Sequence, residues 1–288
     1  MVIVKLTGGL GNQLFQYALG RQIAERRRTE LFLDTSKFDS GDIRSYRLGF
    51  FNICGALISS ARVKNFQAAR EGIFWRRLER YRPYYKRRVL KEQSLCFDPK
   101  VLTALRNVCL VGYWQSERYF DAIKDIIRKD FTLKFPLSSQ SKDVLAQIAR
   151  SDSICVHIRR GDYVHDAATS QDHGVCDLLY YDSAVKMLLS EVKTPTFFVF
   201  SDDLPWAKTN LHLPGPAIYV EGNGAERDYE DMHLMSQCRH FVIANSSFSW
   251  WGAWLSTNRK KIVIAPRQWF RSSKNHAHDI VPEGWKRL

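Results

Sequence analysis

DMHLMSQCRHFVIANSSFSWWGAWL, residues 231–255, reads as a helix, an apolar strand, a polar loop and a second helix in direct succession. A buried strand shows as a continuous apolar run, here 241–244, while the flanks at about 229–237 and 248–256 keep helical spacing. Working outward, further strands are expected at 154–158, 196–201, 217–220 and 261–265, with helical stretches at about 180–191 and 206–211. Alternation of strand and helix implies a parallel sheet covered on both faces.

The first half repeats the theme less regularly. A strand is expected at 2–6, followed by the turn TGGLGN and a helix at about 12–27 in which Leu14, Tyr17, Ala18 and Ala24 share a face. Strands at 30–34 and 108–112 follow, then an amphipathic helix at about 117–129. FPLSS, residues 135–139, reads as a linker, which divides the chain into domains 1–137 and 138–288. Two α/β domains with a cleft between them are therefore expected. In such sheets ligands sit beyond the carboxyl ends of the strands, and the polar motifs fall there.

A length of 288 residues suits two domains, and 45% hydrophobic with 25% charged residues is an ordinary globular balance. The formal charge of +13 points to an anionic partner: nucleic acid, an acidic membrane surface or a phosphorylated small molecule. Residues 62–91 hold eleven Lys/Arg against Glu71 and Glu79, a net +9, which reads as a solvated helical face or as a docking surface. The six cysteines are scattered without a C-x-x-C pair, which excludes the usual zinc patterns, and Cys155 in ICVHI reads as a buried reduced thiol. MVIVKLTGG is too short an apolar run for a signal peptide, so a reducing compartment is expected. No run of 18 apolar residues spans a membrane.

HIRRGDY, residues 157–163, follows an apolar strand. Alternation forbids two adjacent guanidiniums on one face of a strand, so the chain must leave the sheet at Arg159 and Arg160. Arginine forks match phosphate oxygens bidentately and stay charged at any working pH. The reading is Arg159 on a diphosphate, Arg160 divided between structure and ligand, and Asp162 orienting an arginine; a plain surface ion pair is the simpler alternative. Ser246, Ser247 and Phe248 stand at a helix start, where free N–H groups bind anions and where ordinary N-capping also operates. Trp250, Trp251 and Trp254 read as packing residues. Asp231 either complements a helix dipole or accepts from the donor edge of guanine. In FSDD, residues 200–203, the carboxylates are adjacent rather than spaced as a metal-binding DxD pair, so arginine is expected to replace a metal as the charge clamp.

Gly8, Gly9 and Gly11 with Asp34 carry part of a dinucleotide-binding fingerprint, but Leu14 stands where its third glycine belongs. Asn12 and Gln13 open the following helix and present amides at the strand ends. A nucleic-acid-binding reading would use the basic segment with Phe66, Phe74, Trp75, Tyr81, Tyr84 and Tyr85, and leaves HIRRGDY and NSSFSWW unexplained.

GGLGNQLFQYA, GYWQSERYF (112–120), HIRRGDY, HGVCDLLYYDSA (173–184), FSDD and the 231–255 block together resemble the bacterial α-1,2-fucosyltransferases of glycosyltransferase family 11, in order and over nearly the whole chain. The resemblance implies a GT-B fold, with two Rossmann-like α/β domains facing each other across a cleft. It implies GDP-L-fucose as donor, no metal or cofactor, and inverting transfer to the 2-hydroxyl of a galactose-containing oligosaccharide or lipid-linked acceptor in surface polysaccharide synthesis. By the same resemblance Arg159 holds the β-phosphate, His157 and Asp231 contact the guanosine, and Ser246, Ser247 and Phe248 line the diphosphate. Asn12 faces the reaction centre. Gln13, Asp162 and Asp202 are supporting candidates, and Tyr113, Trp114 and Gln115 are candidates on the acceptor side, in the N-terminal domain. The general base stays open among Asp162, His157 and the acidic loop 166–177. No family motif matches the basic 62–91 segment; it is expected to dock on anionic lipid at the inner face of the plasma membrane, with no nucleic acid as partner.

Overall fold

A strand paired on both sides and covered on both faces must be apolar along its length. β1 (Val2–Lys5) meets this demand, with Val2, Ile3 and Val4 buried. In the computed structural model it pairs in parallel with β2 (Leu31–Asp34) on one side and β5 (Val108–Val111) on the other. β3 (Ala56–Leu57) and β4 (Val89–Lys91) form the edges, giving the order β3-β2-β1-β5-β4. The residues described are 1–40, 44–68, 81–165, 174–271 and 278–288, without the side chains of Ser40, Asp162 and His165. The chain divides into two compact units, Met1–Lys134 with His278–Ile280, and Phe135–Ala277 with Val281–Leu288.

The second unit repeats the principle. β6 (Asp152–Ile158) pairs in parallel with β7 (Pro195–Ser201) and β9 (His240–Val242). β8 (Ala217–Tyr219), β10 (Val263–Ala265) and β11 (Lys286–Arg287) complete the parallel order β11-β10-β9-β6-β7-β8. Its core joins Ile154, Val156 and Ile158 of β6 to Tyr181, Val185 and Leu188 of the Leu178–Leu189 helix. In the first unit Ile3, Phe32 and Cys109 pack with Val63 and Phe66 of the Ser60–Ala68 helix.

Both sheets reverse their winding beside a central strand, between β1 and β5 in the first and between β6 and β9 in the second. Loops diverge at such a switch and leave a crevice at the carboxyl ends of the two strands. The motif loops emerge at these two places.

Several elements differ from expectation. The first helix starts at Leu10, capped by the backbone of Gly9, so Asn12 and Gln13 lie within its first turn. The helix expected over 117–129 is two 3-10 turns, Glu117–Tyr119 and Asp121–Ile123, followed by the helix Lys124–Asp130. The break falls at Phe120, whose φ −136 and ψ 12 lie outside the helical region, while Tyr119 is held from outside the segment by the Asp98 N–H, which its hydroxyl accepts, and by the rings of Phe97 and Trp114. The expected linker, 135–139, is one residue shorter, ending where the Ser138 hydroxyl starts a helix, Ser139–Ala149, by accepting from the Ser141 N–H. That helix, the Ser60–Ala68 helix, β3 and β4 are additions to the sequence reading.

Candidate functional site

The crevice between β6 and β9 gathers most of the polar candidates of the second unit. His157 belongs to β6 and is 4% exposed, with its ring 5.8 Å from that of Phe248. Burial, and secondarily the charge of Arg159, lower its pKa to about 3, so the imidazole is neutral. Among the described residues its Nδ1 has no hydrogen-bond partner.

The next two residues leave the sheet, and each finds a carboxylate of FSDD at the end of the adjacent β7. Arg159 Nε lies 3.2 Å from Asp202 Oδ2, and Arg160 Nε lies 3.2 Å from Asp203 Oδ2. Asp202 Oδ1 also accepts the Arg160 N–H at 2.8 Å. A Cβ at Gly161 would sit 2.6 Å from Asp202 Oδ2, so a larger residue there would displace the carboxylate that pairs with Arg159. The Arg160 guanidinium covers the Trp206 ring at 3.9 Å and shares Asp203 with the N–H of Trp206, so this arginine is engaged with the Leu204–Asn210 helix. The two arginines therefore part company. The side chain of Asp162, expected to orient an arginine, lies outside the described residues; among those described, Asp202 pairs with Arg159.

Tyr163 ties the arginine turn to the second loop. Its ring lies 5.7 Å from the Arg159 guanidinium and its hydroxyl donates to the Asn245 carbonyl at 3.1 Å. Asn245 is itself held, donating to the carbonyls of Gly174 and Trp269. The Ser247–Leu255 helix begins immediately afterwards, with the Ser246 hydroxyl accepting from the Phe248 N–H at 3.3 Å. A helix start carries a partial positive charge and N–H groups outside the helical ladder. Trp250, Trp251 and Trp254 are buried, which makes them packing residues.

Asp231 stands in the first turn of the Asp228–Gln237 helix, where Oδ1 accepts from Asn223 Nδ2 at 2.6 Å. Its carboxyl is pushed up to about 7, chiefly by burial; the Asn223 bond opposes that rise, and the charges of Asp228 and Glu230 add to it. Its charge also reaches Cys155, which shares one face of β6 with His157.

The first unit builds a separate cluster at its own switch, from the loops after β1 and β5. Gly8 has φ +77, a conformation glycine adopts freely, and a Cβ there would meet Asn12 Nδ2 at 2.8 Å. Gln13 is fully buried: its Nε2 donates to the carbonyls of Gly8 and Ser45, and its Oε1 accepts from the Arg47 N–H. Asn12 Oδ1 accepts from Gln115 Nε2 at 2.7 Å, which leaves its Nδ2 as a donor without an acceptor among the described residues. Gln115 and Trp114 are buried, whereas Tyr113 is 41% exposed. Behind this turn Glu92 accepts from the N–H groups of both Tyr113 and Trp114. Burial pushes the Glu92 carboxyl up, and these two bonds pull it back.

Asp34, the ribose candidate of the dinucleotide reading, is buried and accepts from the Ser36 N–H in a local turn. Leu14 is buried where that fingerprint needs a glycine. Both observations count against dinucleotide binding. One group of potential metal ligands escaped the sequence reading: Cys96, His278 and Asp279 bring their ligand atoms within 4.8 Å of one another. Asp279 is already an acceptor for the Phe97 N–H and pairs with Arg118 at 3.4 Å, a cation that competes with a metal. In the basic segment Arg62 and Arg88 cover the rings of Phe32 and Phe66, and Lys86 donates to the Thr103 carbonyl. Residues 69–80, with Phe74 and Trp75, and residues 166–173 of the acidic loop lie outside the described residues.

Glu92, Tyr163, Asn223 and Asn245 were not among the candidates. Tyr163 and Asn245 sit inside quoted motifs. Asn223 and Glu92 carry no signal of their own: Asn223, outside any quoted motif, acts on Asp231 eight residues on, and Glu92 acts on N–H groups 21 and 22 residues away.

Comparison with known proteins sets these clusters in context. The family model described as Glycosyl transferase family 11 matches residues 86–288. An alpha-1,2-colitosyltransferase of Escherichia coli is 34% identical over 100% of this chain and 99% of its own. The O-antigen biosynthesis glycosyltransferase WbnK, also from Escherichia coli, is 34% identical over 98% of this chain and 99% of its own. A galactoside alpha-(1,2)-fucosyltransferase 2 of Sus scrofa is 29% identical over 52% of this chain and 46% of its own. Among solved structures, a mutant of FUT1 from Arabidopsis thaliana in complex with GDP superposes with a TM-score of 0.53 at 12% identity, over 95% of this chain and 72% of that one. Fucosyltransferase NodZ from Bradyrhizobium gives 0.51 at 14% identity, over 88% and 92%. The two parallel α/β units are those of the GT-B fold.

Proposed function

The chain belongs to glycosyl transferase family 11 and is a glycosyltransferase, and from that premise we propose that it moves L-fucose from GDP-L-fucose to the 2-hydroxyl of a galactose-containing acceptor, with inversion. The observation that carries the reading is Arg159, fixed by Asp202 at the end of β6 and linked through Tyr163 to the loop that starts the Ser247–Leu255 helix. A guanidinium and a helix start joined in this way suit a diphosphate.

In the proposed reaction an acceptor oxygen forms a bond to C1 of the sugar while the bond from C1 to the β-phosphate oxygen breaks. The electron pair leaves with GDP, and the acceptor proton passes to a base. Negative charge grows on the β-phosphate as the bond lengthens, so a fixed guanidinium stabilises the transition state more than the ground state. Neutral His157, with its pKa lowered to about 3, is too weak a base near neutral pH and serves as a packing and hydrogen-bonding wall against Phe248. Asp231, with one oxygen held by Asn223, suits the N–H donors of guanine. In this reading the second unit binds the donor, and Asn12 with the 113–115 turn of the first unit serves the acceptor. Assembly of a surface polysaccharide at the inner face of the plasma membrane is the setting that fits the basic 62–91 segment.

A second donor is favoured by one finding, the full-length similarity to an alpha-1,2-colitosyltransferase: the same machinery would then move colitose. The deciding experiment incubates the enzyme with GDP-linked fucose or GDP-linked colitose and a panel of galactosides, and analyses the product linkage by NMR. An α-1,2-fucosyl galactoside is the expected product. Transfer of colitose alone replaces the first donor by the second, and the absence of transfer from either overturns the reading.

A further inference from the structure

We propose that Glu92 is a positioning residue for the acceptor, holding the 112–115 turn so that Gln115 aims Asn12 and Tyr113 stands out towards the incoming sugar. The inference rests on the acceptor-side reading given above and deepens it.

Glu92 follows the edge strand β4, and its N–H extends the ladder by one rung, to the Val111 carbonyl at 2.9 Å. That rung puts its side chain under the turn leaving β5. Oε2 accepts from the Tyr113 N–H at 2.7 Å and Oε1 from the Trp114 N–H at 2.8 Å. Two successive N–H groups converging on one anion form a nest, and a carboxylate is the only side chain that accepts from both with equal effect. Because both of its oxygens are so engaged, Glu92 is not placed as the base.

The turn needs such a hold. Trp114 has φ +58, a left-handed conformation that a bulky residue rarely adopts. Gly112 has no room for a side chain, since a Cβ would lie 2.4 Å from that of Glu92 and 2.9 Å from the Trp114 ring. With the backbone reversed at this point, the Trp114 ring is buried against Tyr119, ring centres 5.8 Å apart. The residues on either side then diverge. Tyr113 faces solvent, and Gln115 turns inward to donate to Asn12 Oδ1. That bond decides which end of the Asn12 amide is presented, and it is the N–H end. An exposed aromatic ring and an amide donor aimed by the same turn are groups that recognise a pyranose, through its C–H face and a ring oxygen or hydroxyl. The acceptor class this fits is a terminal hexopyranoside.

The test is Glu92→Gln in the full chain. An amide of the same shape accepts one of the two N–H groups and turns its own N–H at the other. With saturating GDP-fucose and the galactoside that the wild type fucosylates, the acceptor KM is expected to rise about tenfold or more, while the Kd for GDP, measured by calorimetry, stays within about twofold. A purely structural residue would move both constants together with the melting temperature. An acceptor KM within about twofold of the wild type, or an equal loss of GDP affinity, overturns the proposal. Should Glu92→Gln fail to fold, Tyr113→Ala decides, because it removes a ring that is already exposed and keeps the N–H; the acceptor KM is expected to rise several-fold, and an unmoved KM overturns the proposal. The wild-type rate is the control that separates the two readings. Absent transfer there overturns the function itself, whereas normal transfer there with an unmoved KM in Glu92→Gln overturns the role of Glu92 alone.

Discussion

Asp202 holds both sides of the arginine turn at once, its Oδ2 3.2 Å from Arg159 Nε and its Oδ1 2.8 Å from the Arg160 N–H. The pair accounts for why two adjacent arginines can have different fates. Arg160 is drawn towards Asp203 and Trp206, and Arg159 stays beside Tyr163 and the loop at Asn245.

Arg159→Ala is expected to lower kcat by about 10²–10³, the usual cost of losing one fixed donor at a developing oxyanion. Its melting temperature should change little, because the side chain is partly exposed. Asp202→Asn keeps an acceptor for the Arg160 N–H but removes the charge facing Arg159, so a smaller loss of about tenfold is expected. Steady-state release of GDP measures both, and an Arg159→Ala enzyme with activity near the wild type would remove Arg159 from the mechanism.

GDP affinity should depend on pH through Asp231. Its carboxyl titrates at about 7, and only the ionised form accepts from both N–H donors of guanine. Binding is therefore expected to tighten as pH rises towards and through that value, by up to about tenfold per pH unit on the acid side. Asp231→Asn should bind more weakly and with a flat profile. Calorimetry between about pH 6 and pH 8 checks this, and a flat wild-type profile contradicts it.

The stability of the protein carries two opposed proton linkages. His157 is neutral in the fold down to about pH 3 but gains a proton near pH 6.5 when unfolded, so its contribution is lost as pH falls below 6.5. Asp231 runs the other way: its folded pKa is raised, so the stability it confers below its unfolded pKa of 3.8 is lost as pH climbs towards about 7. Each linkage has a slope of about 1.4 kcal/mol per pH unit, and over the shared window the two cancel. Asp231→Asn removes one of them. Its stability relative to the wild type should therefore increase with pH between about 4 and 7, measured by denaturant titration at stepped pH.

Gly20→Ala tests the packing of the first helix on β1. Alanine gains about 1 kcal/mol of helix propensity, but its Cβ would lie 2.2 Å from Val4 Cγ2. Val4 is buried and β-branched, so it cannot swing aside. Overpacking of this kind costs about 1–3 kcal/mol, and the clash is expected to outweigh the propensity, lowering the melting temperature.

For the basic segment, sedimentation with vesicles is the measurement. Binding to vesicles containing phosphatidylglycerol, weak binding to phosphatidylcholine alone, and loss of binding with added salt are expected. Equal binding to both lipids removes the membrane role.

The parts of the fold that were legible in sequence are those where one segment decides its own state. Continuous apolar runs such as ICVHI and FVIA announced buried parallel strands, and RRGD announced a chain leaving the sheet. The illegible parts depend on partners far away along the chain. The helix expected over 117–129 breaks at Phe120, and Tyr119 beside it is held by the Asp98 N–H and the Trp114 ring, partners that its own segment does not announce. FSDD supplied Asp202 as a supporting candidate, but the pairing of its two carboxylates with the two arginines was not legible. Glu92 showed nothing at all, since its importance lies in two N–H groups 21 and 22 residues away.

The assignment of His278–Ile280 to the first unit has a practical consequence for the gene. Neither unit is encoded by one uninterrupted stretch, because the codons for Asp279, which receives the Phe97 N–H, follow those for residues 135–277 of the second unit. Halves exchanged between relatives at a single junction near residue 134 would pair each Phe97 with a foreign residue 279. Chimeras designed to swap donor or acceptor preference should carry residues 278–280 along with the first half.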